Sequence, residues 1–275
     1  MSEIAKRLDA QVEVFQKRDL GEFPYVWLDA RYENVREDKR VKKVAVLVAI
    51  GVRGDGMREV LGFAVSPVEN AAYWDDFITS LLERGLAGVK LAVSDAHEGL
   101  RVAIEKRLPS AQWQRCRVHF MRNLGTRISK RHRPACLALV KTVFAQESYE
   151  EALEQRTNVV AALRRARQND AADFLESTDA MLTYMQFPSA HWSKLHSTNV
   201  VERQNRELKR RTRVVSIFPN RAALVRLVGA LLLEEHEEWL VARRYISEAS
   251  MNALYTPEEQ LGLDGDDPIK HLAAK

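Results

Sequence analysis

The run KKVAVLVAIGV, residues 42–52, constrains the fold more than any other stretch of the chain. Its apolar side chains follow one another without alternation, so a strand built from them must be buried on both faces. Such a strand belongs in the interior of a sheet that is covered on two sides. YVWLDARYENV (25–35), before it, is rich in β-formers, and REVLGFAV (58–65) returns after the turn sequence RGDG (53–56). Three antiparallel strands in a meander are therefore expected first.

The period then changes. Trp74, Phe77, Ile78, Leu81 and Leu82 recur at helical spacing, and RGLAG ends that helix. VKLAVSD (89–95) predicts a short buried strand that stops on Asp95. GLRVAIEKRL (99–108) predicts a helix stopped by Pro109, and AQWQRCRVH (111–119) a last strand. From 120 to 190 the pattern is that of basic amphipathic helices with a break near Pro134. FPSAHWSKLHS (187–197) reads as a connector, followed by helices over 199–213 and 220–246. Residues 1–19 predict one helix, broken by GEFP (21–24).

The order βββ-α-β-α-β, then a helical block, predicts an α/β fold. Its layout is ribonuclease H-like: a mixed five-stranded sheet flanked by helices and interrupted by an all-α insertion. The expected division is a helical linker over 1–20, a split core over 21–120 and 191–250, an insertion over 121–190, and a C-terminal tail over 251–275.

This layout gives meaning to three carboxylates. Asp29 lies inside the first strand, where Asp is disfavoured, and Asp95 ends the fourth. In a ribonuclease H-like sheet these strands are central neighbours, so both side chains would project at one edge. Glu202 opens the basic helix HSTNVVERQNRELKRRTR (196–213) after the insertion. Three carboxylates brought together repel unless a cation lies between them, and Mg²⁺ prefers such oxygen ligands. Two ions about 3.5–4 Å apart can activate an attacking oxygen and stabilise a leaving one in phosphoryl transfer. Each residue also has a plainer reading: Asp95 as a turn former, and Glu202 as part of a capping box with Asn199, three positions before it.

PYVWLDARYENVR, VSDAHEGLRVAI, WQRCRVHFMRNL and STNVVERQNRELKRRTR closely resemble the catalytic region of bacterial Mutator-type insertion-sequence transposases, over roughly residues 10–250. These are DDE transposases with a ribonuclease H-like core and an all-α insertion. The resemblance implies catalytic and metal-binding roles for Asp29, Asp95 and Glu202. It implies Mg²⁺ or Mn²⁺, as two ions, and strand cleavage and strand transfer at the inverted-repeat ends of a mobile element. It matches Cys116 and His119 to the family's C-x-x-H signature and places Trp192 in the connector before the third motif. Full-length members carry an N-terminal DNA-binding region, of which SEIAKRLDAQVEVFQKRDL resembles only the last helix and linker.

The remaining constellations carry alternatives. Cys116, His119, His132 and Cys136 imitate zinc-finger spacing, but they straddle a strand end and a helical block, so no structural zinc is expected. Cys116 reads as a buried core residue. His119 reads as a polar group orienting a metal-bound carboxylate or a phosphate. Arg203, Arg206, Lys209, Arg210, Arg211 and Arg213 follow Glu202, with Arg206 and Lys209 on its face. They are a solvated surface or a grip on DNA phosphates. RNLGTRISKRHR (122–133) is a second basic cluster. Trp192 either stacks on an unpaired base or plugs the seam between insertion and core.

The net charge of +4, from 42 basic and 38 acidic residues, does not by itself demand a polyanionic partner. Two cysteines, no signal-like N-terminus and an apolar run (222–233) interrupted by Arg226 predict a cytoplasmic protein without a membrane partner. The expected partners are DNA, as inverted-repeat ends and target, and at least a second copy of the chain for synapsis. The alternative is a catalytically inactive DNA-binding fragment of a decayed or repurposed element.

Overall fold

The doubly apolar run does lie inside a sheet. The computed structural model describes residues 3–255. Helix α1 (Glu3–Lys17) precedes β1 (Tyr25–Glu37), β2 (Arg40–Val52) and β3 (Arg58–Ser66). Helix α2 (Ala71–Glu83) leads to β4 (Leu91–Ser94), and α3 (Glu98–Arg107) to β5 (Gln112–Arg115). The strand order is β3-β2-β1-β4-β5. Pairing is antiparallel among β1, β2 and β3, and parallel where β4 joins β1 and β5. This is the mixed five-stranded α/β sheet of the ribonuclease H-like layout.

A helical block follows: α4 (Arg117–Thr126), α5 (Arg133–Lys141), α6 (Tyr149–Arg165) and α7 (Asn169–Glu176). The connector holds 3₁₀ turns at Thr183–Gln186 and Ser189–His191 and the short α8 (Trp192–Leu195). Then come α9 (Asn199–Thr212), α10 (Arg221–Val241) and α11 (Glu248–Asn252). Most of the expected tail, 256–275, lies outside the described residues. No helix among the described residues is long and apolar enough to cross a membrane.

Two cores explain why β2 is apolar throughout. On one face Val26, Leu28, Ala45, Leu47, Ala49 and Ala92 meet Trp74, Phe77, Ile78 and Leu81 of α2 and Leu100 and Ile104 of α3. On the other, Tyr25, Trp27, Val46, Val48, Ile50, Leu91 and Val93 join one apolar cluster with Val201 and Leu208 of α9, Leu224, Val228 and Leu232 of α10, and buried residues of α4–α7. Each such Val, Leu or Ile side chain contributes about 1.5–3 kcal/mol when fully buried.

Two expectations need correction. The last strand does not run over 111–119: it ends at Arg115, and α4 begins at Arg117 with Cys116 as its N-cap. The β4 ladder ends at Ser94, whose carbonyl takes the Cys116 N–H, and the next N–H, of Arg117, bonds His196 across the connector. With no strand left to pair, Phe120 N–H closes a helical turn onto Cys116. The first two strands, conversely, run past the expected 25–35 and 42–52 to a two-residue turn. Its residues Asp38 and Lys39 have φ of 52° and 61°. Left-handed backbone at both positions matches the twist of a tight hairpin, but the sequence offers neither Gly nor Asn there.

Candidate active site

The sheet register sets the site. β1 and β4 pair in parallel as Tyr25 with Leu91, Val26 with Ala92 and Trp27 with Val93, a constant offset of 66 (91 − 25). Carried two residues past the last pair, that offset puts Asp29 level with Asp95. Side chains alternate along a strand, so Asp29 follows Tyr25 and Trp27 onto one face, and Asp95 follows Leu91 and Val93 onto the same face. The same face carries α9.

The start of α9 is tied to β1 through those aromatic residues. Tyr25 Oη bonds His191 Nδ1 at 2.7 Å, and Trp27 Nε1 donates to the Ser197 carbonyl at 3.1 Å. Asn205 Nδ2 donates to Asp29 Oδ2 at 2.7 Å. Arg31 donates to the Asn205 carbonyl at 3.1 Å, and Thr212 Oγ1 to Glu33 Oε1 at 2.9 Å. Arg31 also pairs with Glu33. The contacts climb both elements in the same sense, so α9 is laid along β1 with Glu202 toward Asp29.

Glu202 does not form the capping box. The N-cap is Thr198, not Asn199, and its hydroxyl donates to Glu202 Oε1 at 3.1 Å. The Glu202 side chain is thereby fixed while its second oxygen stays available. Asp95 does perform its turn role, accepting the His97 N–H through Oδ1 at 3.0 Å. That leaves its other oxygen for a further ligand.

The electrostatics are those of crowded acids. Burial, and next the charge of Asp95, push Asp29 up to about 7. The Asn205 hydrogen bond and nearby His119 only partly offset this. His119 Nδ1 lies 3.6 Å from Glu202 Oε1. Its bond to Cys116 raises His119 above the usual value; burial opposes this, and the charges of Cys116, Glu202 and Asp29 add to the rise. Burial pushes the Cys116 thiol up, but hydrogen bonds with His119 and Thr198 outweigh it and leave the thiol below its ordinary range. The ligand atoms of Cys116, His119 and Glu202 lie within 4.8 Å of one another, and neither His132 nor Cys136 joins that group.

Carboxylate oxygens are the ligands a hard divalent cation prefers, and a cation would relieve the repulsion between Asp29 and Asp95. Among the described residues, the group of three ligand atoms lying within 4.8 Å of one another is Cys116, His119 and Glu202, and it includes neither aspartate. Asn205 Oδ1 and His119 Nδ1, beside the carboxylates, are buried and have no hydrogen-bond partner among the described residues.

The basic residues divide in two. Arg206, Lys209 and Arg213 line one cleft with Asp29, His119 and Glu202, and Arg122 of α4 faces them. None of these four cations has an ion pair with a described residue. Arg210 and Arg211 point elsewhere, paired with Glu207, and Arg211 also with Glu234. Arg203 is exposed on the flank near Arg58. Trp192 is not with the carboxylates: its Nε1 donates to the Phe187 carbonyl, its ring meets Tyr184 edge-on, and it lines a separate cleft with Lys90 and Gln112.

Sequence reasoning named Arg122 only as the first residue of the basic cluster 122–133 and passed over Asn205 and the Arg31–Glu33–Thr212 network. Two signals were available. Asn205 stands three residues after Glu202, on the same helix face, and Arg31 and Glu33 follow Asp29 at strand period.

The profile of the family described as "Transposase, Mutator family" matches residues 1–242. The chain is 42% identical over 251 residues to the transposase for insertion sequence element ISRM5 of Rhizobium meliloti (strain 1021), covering 90% of this chain and 62% of that protein. It is 42% identical over 248 residues to the transposase for insertion sequence element IS1081 of Mycobacterium tuberculosis, covering 90% and 60%. It is 36% identical over 252 residues to the transposase for insertion sequence element IS256 in transposon Tn4001 of Staphylococcus aureus, covering 90% and 64%. The chain thus spans about three fifths of the length of these curated relatives.

Proposed function

Because this chain belongs to the Mutator family of transposases, we propose that it is the catalytic region of such an enzyme, cutting and joining DNA at the ends of a mobile element. Asp29, Asp95 and Glu202 are its catalytic residues and the ligands of two Mg²⁺ or Mn²⁺ ions. The observation that supports the reading most is the β1–β4 register, which carried two residues past its last pair sets Asp29 level with Asp95, together with the bond from Asn205 of α9 to Asp29.

When bound, the ions supply Lewis-acid charge at the scissile phosphate and lower the pKa of the attacking hydroxyl or water. The protein's own groups supply position. Asn205 and Thr198 fix one oxygen each of Asp29 and Glu202, so the carboxylates need not reorganise when charge develops. His119, next to both, orients Glu202 or a phosphate oxygen, and Cys116 holds His119 from behind. Arg122, Arg206, Lys209 and Arg213 take flanking phosphates along the cleft. The substrates are element ends and a target duplex, and bringing two ends together calls for at least two copies of the chain.

The test is a strand-transfer reaction on pre-cut ends with Mg²⁺ or Mn²⁺. Wild type joins ends to target, and Glu202→Gln loses at least about a hundredfold in rate while still binding DNA. Nicking without joining would indicate a general nuclease. Binding without either reaction would favour the inactive fragment.

A further inference from the structure

An apolar projection stands where the cleft leaves the sheet. Between α9 and α10 the chain exposes Val214, Val215 and Ile217, with Val214 88% accessible. Three exposed branched aliphatic side chains within four residues are not the scattered apolar exposure of an ordinary surface.

The projection is held at both ends. Thr212 is buried and bonded to Glu33. Phe218 is buried and forms a β-bridge with Val35, its N–H on the Asn34 carbonyl and its carbonyl on the Arg36 N–H, both at 2.8 Å. Between these anchors Ser216 adopts φ +59°, a left-handed conformation that a non-glycine residue keeps only where its surroundings impose it. The segment is thus a set tip that presents Val214 outward.

Its flanks identify what it meets. Arg206, Lys209 and Arg213 precede it along α9, and the bridge to Val35 sets it beside the β1–β2 hairpin end, which carries Arg36, Arg40 and Lys43 as well as Glu37 and Asp38, these two paired with Lys42 and Glu37 also with Arg221. Arg206, Lys209, Arg213, Arg36, Arg40 and Lys43 have no ion pair with a described residue. An aliphatic tip flanked by unpaired cations matches a ligand with anionic rails and an apolar interior. Duplex DNA is such a ligand, with phosphates outside and stacked base faces within, and aliphatic wedges that enter base steps unstack them.

We propose that Arg213–Ile217 is a wedge that inserts Val214 into a base step of DNA lying along α9, opening the duplex about one helix length from the carboxylates. This rests on the reading of the cleft as a DNA site. It adds a residue that touches bases rather than phosphates. An opened step would let a strand bend toward Asp29 and Glu202.

The test uses the full chain and short duplexes with one 2-aminopurine at successive positions. Wild type should raise the fluorescence at one or a few adjacent positions. Val214→Ser should abolish that rise and weaken binding roughly three- to tenfold, and Val214→Leu should restore both. DNA binding that needs Arg206 and Lys209 but gives no rise at any position would overturn the wedge and leave the DNA reading standing. No binding at low salt would overturn both. A change of oligomeric state in Val214→Ser, with the rise intact, would assign the tip to contact between copies and likewise overturn the proposal.

Discussion

Asp29 is the residue on which the site turns. Its carboxylate is partly buried, close enough to Asp95 to feel its charge, and held by Asn205. With no cation present, its charge opposes folding, as its raised pKa attests. Asp29→Asn should therefore raise the melting temperature in chelator-treated buffer and remove the stabilisation that Mg²⁺ or Mn²⁺ gives wild type, read by thermal denaturation with and without the ion. His236 offers a contrast far from the chemistry. It is buried against Phe15, with Arg18 nearby, and burial pulls its pKa down to about 4. The unfolded chain takes this proton first, so the folded state is favoured in full above about 6.5 and loses that contribution as pH falls toward about 4. His236→Leu should flatten the decline of melting temperature across that interval. The candidate residues themselves were legible one at a time. Asp29 stands out because Asp is rare inside a strand, whereas Glu202 could not be separated from a cap by spacing alone. Only the position of Thr198 as N-cap decides against the capping box.

At the scale of elements, the sequence betrayed the strands by their burial and failed where the backbone made an unmarked choice. β2 was plain because both faces are covered. The Asp38–Lys39 turn was not, because only Asp38 is a usual turn residue and Lys39 holds the left-handed position where Gly is expected. Lys39→Gly removes a Cβ from a strained position and should stabilise the protein by about 0.5–1 kcal/mol in chemical denaturation. The end of β5 was misread for a different reason: QWQRCRVH continues a β-like pattern, but the ladder it needs stops at Ser94. That shortfall matters to the site. It makes Cys116 an N-cap and sets His119 on the first turn of α4, facing Glu202.

Across the whole molecule, charge is sorted rather than abundant. A net charge of +4 says little, but Arg122, Arg206, Lys209 and Arg213 in the cleft have no ion pair with a described residue, while Arg31 there is paired with Glu33, and Arg210 and Arg211 outside it with Glu207. Removing Arg122, Arg206, Lys209 or Arg213 should each make the slope of log K against log salt shallower by about 0.9, while Arg210→Ala leaves it nearly unchanged. Binding measured over a series of salt concentrations checks this. Helical spacing already put Arg206 and Lys209 on the Glu202 face, but the neutralisation of Arg211 by Glu234 depends on the packing of α9 against α10.

The central claim is that Asp29, Asp95 and Glu202 share divalent ions. Calorimetric titration of Mn²⁺ into the protein tests it without DNA. Wild type should bind Mn²⁺, Asp29→Asn, Asp95→Asn and Glu202→Gln should each lose at least about tenfold in affinity, and Asn205→Ala should fall in between. Undiminished Mn²⁺ binding in all three carboxylate variants would contradict the account.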